Sequence, residues 1–253
     1  MSAAHQAAAL QSQPSYVFQD REVTLPVFVR KASSSTATYL VSAEAARRIV
    51  PTERLDVVEV LPGKTLFSVA CIDYLDNDLG DYNEVSLAFF VRERETPAGF
   101  PYVGAAFDFV RNRLATYIHR LPVNQSFTCD AGCGIWGFPK TVEEIDIDYA
   151  DGRSSCTLEC DGQHVLTFSA PHGGTRTLPD AEMTTYTYID GVLHRTTFAS
   201  GADDVGITMG GAELELGDHQ IAAELRSLGL PKRPLMSVWL GTMYGRFDAP
   251  VPL

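Results

Sequence analysis

Lys140 lies in the run Gly134-Ile135-Trp136-Gly137-Phe138-Pro139-Lys140-Thr141-Val142 and is one of only four lysines, against sixteen arginines. Arginine keeps its proton in a protein, whereas a lysine drawn out of water has a depressed pKa and becomes a neutral amine near pH 7. Such an amine attacks ketones, so the chemistry in view is Schiff-base formation. Trp136, Phe138 and Val142 supply apolar surface for a dry pocket, with Trp136 and Phe138 as candidate substrate-binding side chains. The alternative is a lysine at a loop end, its stem over Trp136 and its head in solvent.

Other chemistry-bearing residues are less ordered. Five cysteines fall as Cys71, Cys129, Cys133, Cys156 and Cys160. An odd count in a chain whose first residues lack a basic stretch followed by an apolar core favours free thiols in a reducing compartment, the cytoplasm. The two Cys-x3-Cys pairs raise a four-thiolate zinc site, but Ser155-Cys156-Thr157-Leu158-Glu159-Cys160 alternates like a strand and would turn both cysteines to one side. No pair of the six histidines has helical metal-ligand spacing. His119 is a candidate for the border of a cavity, without a catalytic role. His172-Gly173-Gly174 has no nucleophile elbow beside it and reads as a hairpin loop.

Composition narrows the partners. The chain is 45% hydrophobic and 21% charged, with a formal net charge of −12 and no basic cluster to offset it. A nucleic-acid partner is not expected. No apolar run approaches the roughly 18 residues of a membrane-crossing helix, so no membrane partner is expected either.

Strands must position these residues. Glu22–Val29 and Asn83–Val91 alternate on a period of two, and Met236–Gly245 reads as a closing strand packed by its Met and aromatic residues. Asp151-Gly152, Asp161-Gly162 and Asp190-Gly191 supply positive-φ turns, so Val142–Phe198 reads as an antiparallel meander. Helices are predicted at Ser42–Val50, with Ser42 as N-cap and Pro51 as stop, at about Phe107–Thr116, and near His219–Leu228 before Gly229. The fold class is α+β: a large curved antiparallel sheet with a few peripheral helices, which must curl or close at this length. Residues 1–14 are expected to form a flexible tail and 15–253 a single domain.

Three segments in order resemble the acetoacetate decarboxylase superfamily. Phe18-Gln19-Asp20-Arg21-Glu22 resembles its Phe-x-Asn-Arg-Glu, Asp81-Tyr82-Asn83-Glu84 its Tyr-x-Glu, and Gly137-Phe138-Pro139-Lys140 the aromatic-Pro-Lys motif carrying the Schiff-base lysine. The match covers residues 16 to 145, and the carboxy-terminal hundred residues match loosely. The resemblance implies a cone-shaped β-barrel, a homo-oligomer, no cofactor, and a small keto acid or ketone as substrate. It also implies catalytic roles for Lys140 and Glu84, with Glu84 in proton transfer or electrostatic steering, and Arg21 near the substrate carboxylate. Without the family, Arg21 reads equally as a surface ion pair with Asp20 or Glu22, and Glu84 as a solvent-facing strand residue.

Two departures bear on the chemistry. Thr141 stands where the decarboxylases have a second lysine, which removes like-charge repulsion as a way to activate Lys140 and leaves desolvation. Gly132-Cys133-Gly134 stands where the family has Gly-Arg-Glu, which suggests a bulkier or less polar keto compound than acetoacetate. The expected activity is decarboxylation of a β-keto acid through a lysine imine. The alternatives are an aldolase-dehydratase acting on a pyruvate-like keto acid through the same imine, and a non-catalytic ligand-binding β-barrel.

Overall fold

In chain order the strands are β1 (Ser15–Phe18), β2 (Arg21–Thr24), β3 (Val27–Ser42), β4 (Leu55–Val57), β5 (Glu59–Leu61), β6 (Lys64–Asn77), β7 (Tyr82–Glu93), β8 (Ala115–Val123), β9 (Lys140–Val142), β10 (Glu144–Ala150), β11 (Arg153–Cys160), β12 (Gln163–Pro171), β13 (Arg176–Ile189), β14 (Val192–Met209), β15 (Glu213–Leu216), β16 (Met236–Phe247) and β17 (Val251–Pro252). The four helices are α1 (Ala43–Arg47), α2 (Val103–Val110), α3 (Ser126–Trp136) and α4 (Gln220–Ser227). The computed structural model describes residues 13–51, 53–95, 102–111 and 113–253. The tail expected over residues 1–14 lies outside the described residues as far as 12, and the Pro14 carbonyl accepts a hydrogen bond from the Leu25 amide.

Seven strands pair in the order β7-β6-β3-β16-β14-β13-β8, and β8 returns to pair with β7, closing a barrel. Closure removes the unpaired edges a sheet of this size would otherwise expose. The sheet is mixed, which corrects the purely antiparallel expectation: β8 runs parallel to both β13 and β9. Parallel neighbours need a crossover, and α3 supplies it between β8 and β9. That connection decides the site, because it lays a helix over the residues of β8 and β9 on one face.

The Val142–Phe198 meander forms only in part. All three Asp-Gly turns have positive φ at both residues, as type I′ hairpins require. However, β10, β11 and β12 pair with β15 in a separate four-stranded sheet, and β13 joins the barrel. The break falls at His172-Gly173-Gly174, a connection between sheets and not a hairpin loop. A Cβ on Gly174 would sit 2.1 Å from the Val205 carbonyl carbon, so only glycine lets the chain cross against β14. The helix expected at Phe107–Thr116 instead spans Val103–Val110, and Ala115 begins β8.

The two faces of β6 and β7 enter different cores. Phe67, Val69, Cys71, Val85, Leu87 and Phe89 pack with Cys156, Leu158 and Phe168 of the small sheet. Ile72, Tyr74 and Tyr82 pack with Leu121, Val123 and the α3 residues Phe127, Ala131, Ile135 and Trp136. Helix α4 is pinned to β8 by Glu224, which accepts from Arg120 through both carboxylate oxygens and lies 2.8 Å from His119 Nε2. Burial raises the Glu224 pKa, but the hydrogen bonds from His119 and Arg120 outweigh it and bring it down to about 2. A carboxylate depressed below its unfolded value stabilises the fold above that value and loses the contribution as pH falls through the folded pKa. Glu224→Gln should therefore lower stability at neutral pH and flatten its fall between roughly pH 4.3 and 2, measured by urea unfolding across that range.

No described helix is long and apolar enough to cross a membrane.

Candidate active site

Lys140 opens β9 beside Leu121 of β8, and Glu84 of β7 pairs on the other side of β8 with Val123. Leu121 and Val123 are two residues apart and face the same way, so β8 brings Lys140 and Glu84 together from its two flanks. Lys140 Nζ lies 2.8 Å from Glu84 Oε2, with side-chain exposures of 4% and 7%. The ammonium also donates to Thr128 Oγ1 at 3.3 Å and stands 4.9 Å from the centre of the Tyr82 ring. Tyr82 stacks on Tyr74 at 4.5 Å, and the Tyr74 hydroxyl is 3.5 Å from Glu84 Oε1.

Electrostatics here differ from the depressed lysine pKa expected from the sequence. Burial lowers the Lys140 pKa, but the Glu84 carboxylate and the Tyr82 phenol outweigh burial, and the net shift is upward. Lys140 is therefore held as an ammonium beside Glu84. A lysine raised above its unfolded value stabilises the fold below that value, and the contribution is lost as pH rises beyond about 10.4. Burial raises the Tyr82 phenol to about 12, with Lys140 pulling the other way, so it stays neutral at physiological pH.

Helix α3 is shaped around the lysine. A Cβ on Gly132 would lie 2.6 Å from Lys140 Cδ and 2.7 Å from Cε, so the lysine stem rests directly on the glycine backbone. Gly132→Ala gains helix propensity of up to ~1 kcal/mol while pushing the stem aside. It should lower turnover at least about tenfold, about 1.4 kcal/mol of barrel-site misalignment, with little change in melting temperature; kinetics and thermal unfolding check both.

Thr141, the neighbour of Lys140 on β9, is exposed and turns to the opposite face, as strand alternation requires. It lines a cleft of about 330 Å³ together with Lys140, His119, Arg120, Glu143, His219 and Gln220. A lysine at position 141 would leave the strand on the face opposite to the Lys140 side chain. His119 borders this cleft. Gly134 leaves no vacancy: a Cβ there would be 2.5 Å from Phe18 Cε1, because the ring of Phe18 covers it.

The remaining sequence-named residues lie at varied distances from the pair. Arg21 is exposed, with its guanidinium 3.6 Å over the ring of Phe127, next to Thr128 in the chain. It has no acidic partner among the described residues, and neither Asp20 nor Glu22 pairs with it. Trp136 is buried in an aromatic cluster with Phe138 and Phe247, and its indole N–H donates to the Asp248 carbonyl at 2.9 Å. Phe138 shares that cluster, and Val142 is 52% exposed, outside any dry pocket. Tyr74 and Thr128 were not indicated by sequence. Tyr74 reaches the site by direct register with Tyr82 across β6 and β7, and Thr128 by the α3 crossover.

The four-thiolate zinc site does not form. Cys156 and Cys160 are buried in β11, Cys129 and Cys133 ride on α3, and no group of three metal-binding side chains occurs among the described residues.

A family model for acetoacetate decarboxylase matches residues 12–245. The chain belongs to the acetoacetate decarboxylase family. Solved structures agree at the level of fold. The acetoacetate decarboxylase of Legionella pneumophila is 15% identical with a TM-score of 0.66, covering 96% of this chain and 93% of its own. The enduracididine biosynthesis enzyme MppR, complexed with pyruvate, is 16% identical with a TM-score of 0.57, covering 97% and 92%. An acetoacetate decarboxylase-like enzyme from Sphingomonas wittichii RW1 is 12% identical with a TM-score of 0.55, covering 91% and 94%. No curated protein matches the sequence.

Proposed function

We propose that this family member is a Schiff-base-forming carbon–carbon lyase that decarboxylates a β-keto acid, with Lys140 as nucleophile. The observation that carries the reading is the buried Lys140–Glu84 pair at 2.8 Å. Away from water, moving the proton from Nζ to the Glu84 carboxylate removes two opposite buried charges at once and yields the neutral amine. The pair thus stores an ammonium that becomes a nucleophile when a ketone displaces part of its contact.

Attack of Nζ on the ketone carbon gives a carbinolamine, and loss of water gives the protonated imine. The bond to the carboxylate then breaks, its electron pair enters the imine, CO2 departs and an enamine remains. Forming the protonated imine takes back the proton that Glu84 had received, so the proton added to the enamine carbon comes from water by way of Glu84, and hydrolysis of the resulting imine frees Lys140 as the ammonium. Because the imine is itself the electron sink, the scheme needs no cofactor. Arg21, held flat on Phe127 with its fork unpaired, is the cation for a substrate carboxylate.

A second reading is favoured by the fold of MppR, which is named with pyruvate bound: condensation and dehydration of a pyruvate-like keto acid through the same imine. Incubation with acetoacetate and longer β-keto acids separates the two. Release of CO2 supports decarboxylation, whereas consumption of pyruvate only together with an aldehyde supports condensation. Free thiols at all five cysteines suit the cytoplasm, and a homo-oligomer is the assembly the family suggests.

A further inference from the structure

The four-stranded sheet and helices α1 and α4 cover one face of β3, β6 and β7. A barrel of seven strands has room inside for side chains or one small ligand and none for a second sheet, so the covered face is the outer one. Glu84 is on the inner face. Register sorts the inward side chains into rows around the barrel. Ser34, Ile72, Glu84 and Val123 make the row at the level of the Lys140 pair. One strand repeat further on stand Thr36, Ala70 and Ser86, and after them Thr38, Ser68 and Ala88. Beyond these, Leu40, Leu66 and Phe90 pack with Val58, Val60 and Phe109 and plug the barrel. The two middle rows are not filled in this way. Thr36, Ala70, Ser86 and Ser68 are each partly exposed although they face inward from central strands. Their side chains are no larger than a threonine where a solid barrel carries bulk. Val238 and Ile118 complete the rows with apolar surface, and Ser34 Oγ lies 3.4 Å from Thr36 Oγ1. The rows therefore enclose a chamber directly beneath Glu84, two strand repeats or ~13 Å deep, with hydroxyls along one wall.

We propose that this chamber takes the part of the substrate beyond its ketone, and that Thr36, Thr38, Ser68 and Ser86 select a keto acid whose chain runs several carbons and carries hydroxyl groups. The proposal rests on the catalytic reading above for the placement of the ketone at Lys140. Acetoacetate, with one methyl beyond its ketone, would leave the chamber unfilled. A longer alkyl chain would fill it but would strip water from the wall and leave its hydroxyls unpaired. A hydroxylated chain replaces those lost contacts with its own oxygens, while its carbons lie against Val238 and Ile118. The chamber thus determines specificity and the Lys140–Glu84 pair above it does the chemistry.

Calorimetric binding of two reduced analogues, 3-hydroxyhexanoate and 3,5,6-trihydroxyhexanoate, tests the chamber without catalysis, because neither has a ketone to form an imine. The expected result is at least about tenfold tighter binding of the trihydroxy acid. Thr36→Val and Ser86→Ala together should bring the two affinities to within a factor of about two, with the binding of 3-hydroxyhexanoate undiminished. Thr157→Val, on the face of β11 turned away from the barrel, should keep the wild-type preference. Equal binding of the two acids by the wild type, tighter binding of the alkyl acid, or a preference that survives Thr36→Val with Ser86→Ala overturns the proposal. Borohydride trapping with the matching keto acids separates the two readings. If the trihydroxy acid is preferred but Lys140 traps no ketone, the chamber stands and the catalytic reading fails; if Lys140 traps ketones while the reduced acids bind equally, the reverse holds.

Discussion

Lys140→Ala should reduce turnover by at least about 10⁴-fold, on the order of 5.5 kcal/mol of transition-state stabilisation. No other amine in the described site can form the imine. The substitution also leaves Glu84 buried without its counter-ion, and breaking a buried pair costs roughly 3–5 kcal/mol. Loss of activity could then reflect loss of fold, and Lys140→Arg separates the two. Arginine keeps a positive charge toward Glu84 but cannot become a neutral nucleophile. Lys140→Arg should be as inactive as Lys140→Ala while retaining more stability, measured by steady-state CO2 release and urea unfolding of both variants. A protein that merely binds its ligand beside Lys140 would instead keep most of its affinity in Lys140→Ala, measured by calorimetry.

Glu84→Gln carries the second large effect, and its two consequences run in opposite directions. With the carboxylate gone, burial, the largest effect on Lys140, is opposed by Tyr82 without Glu84, so the Lys140 pKa should fall from its raised position. The pH at which Lys140 becomes reactive toward an amine-directed reagent should fall. Turnover should nevertheless drop by about 10²–10⁴-fold, the usual worth of general acid–base catalysis, because nothing returns the proton to the enamine carbon. A more reactive amine in a slower enzyme is the signature of a proton carrier. Unchanged turnover with the same shift in reactivity would make Glu84 a counter-ion only. The alkaline fall in stability that Lys140 contributes above about pH 10.4 should also shrink in this variant.

Much of the candidate site was legible because its residues sit in short motifs. Lys140, Glu84 and Arg21 were named from local sequence together with the family resemblance, which also implied the barrel, while the strand expected over Met236–Gly245, which runs Met236–Phe247, and the helices expected at Ser42–Val50 and near His219–Leu228 followed from alternation and caps. What escaped the sequence depends on contacts between distant strands. The expectation of a low lysine pKa rested on apolar neighbours in the chain, while Glu84 reaches Lys140 from across β8, 56 positions away in sequence. Tyr74 enters by register with Tyr82, and no local pattern announces register. Trp136 appeared as pocket lining, yet its N–H is bound to the Asp248 carbonyl, a partner 112 residues on. Thr141 appeared to weaken the lysine's setting because adjacency in sequence was taken for adjacency in space, and a strand turns successive side chains to opposite faces. The antiparallel meander was cut by Gly173-Gly174, whose close approach to Val205 and Gly206 carries the chain from one sheet into the other.

Borohydride reduction in the presence of β-keto acids, pyruvate and simple ketones, followed by intact-mass measurement and peptide mapping, tests the central claim most directly. Reduction fixes an imine that would otherwise hydrolyse. The expected result is one adduct per chain on Lys140 with a β-keto acid, with the mass gain of the substrate less CO2 and the water lost in imine formation, plus the two hydrogens added by reduction. The absence of any adduct on Lys140, under conditions that label an authentic acetoacetate decarboxylase, would contradict it.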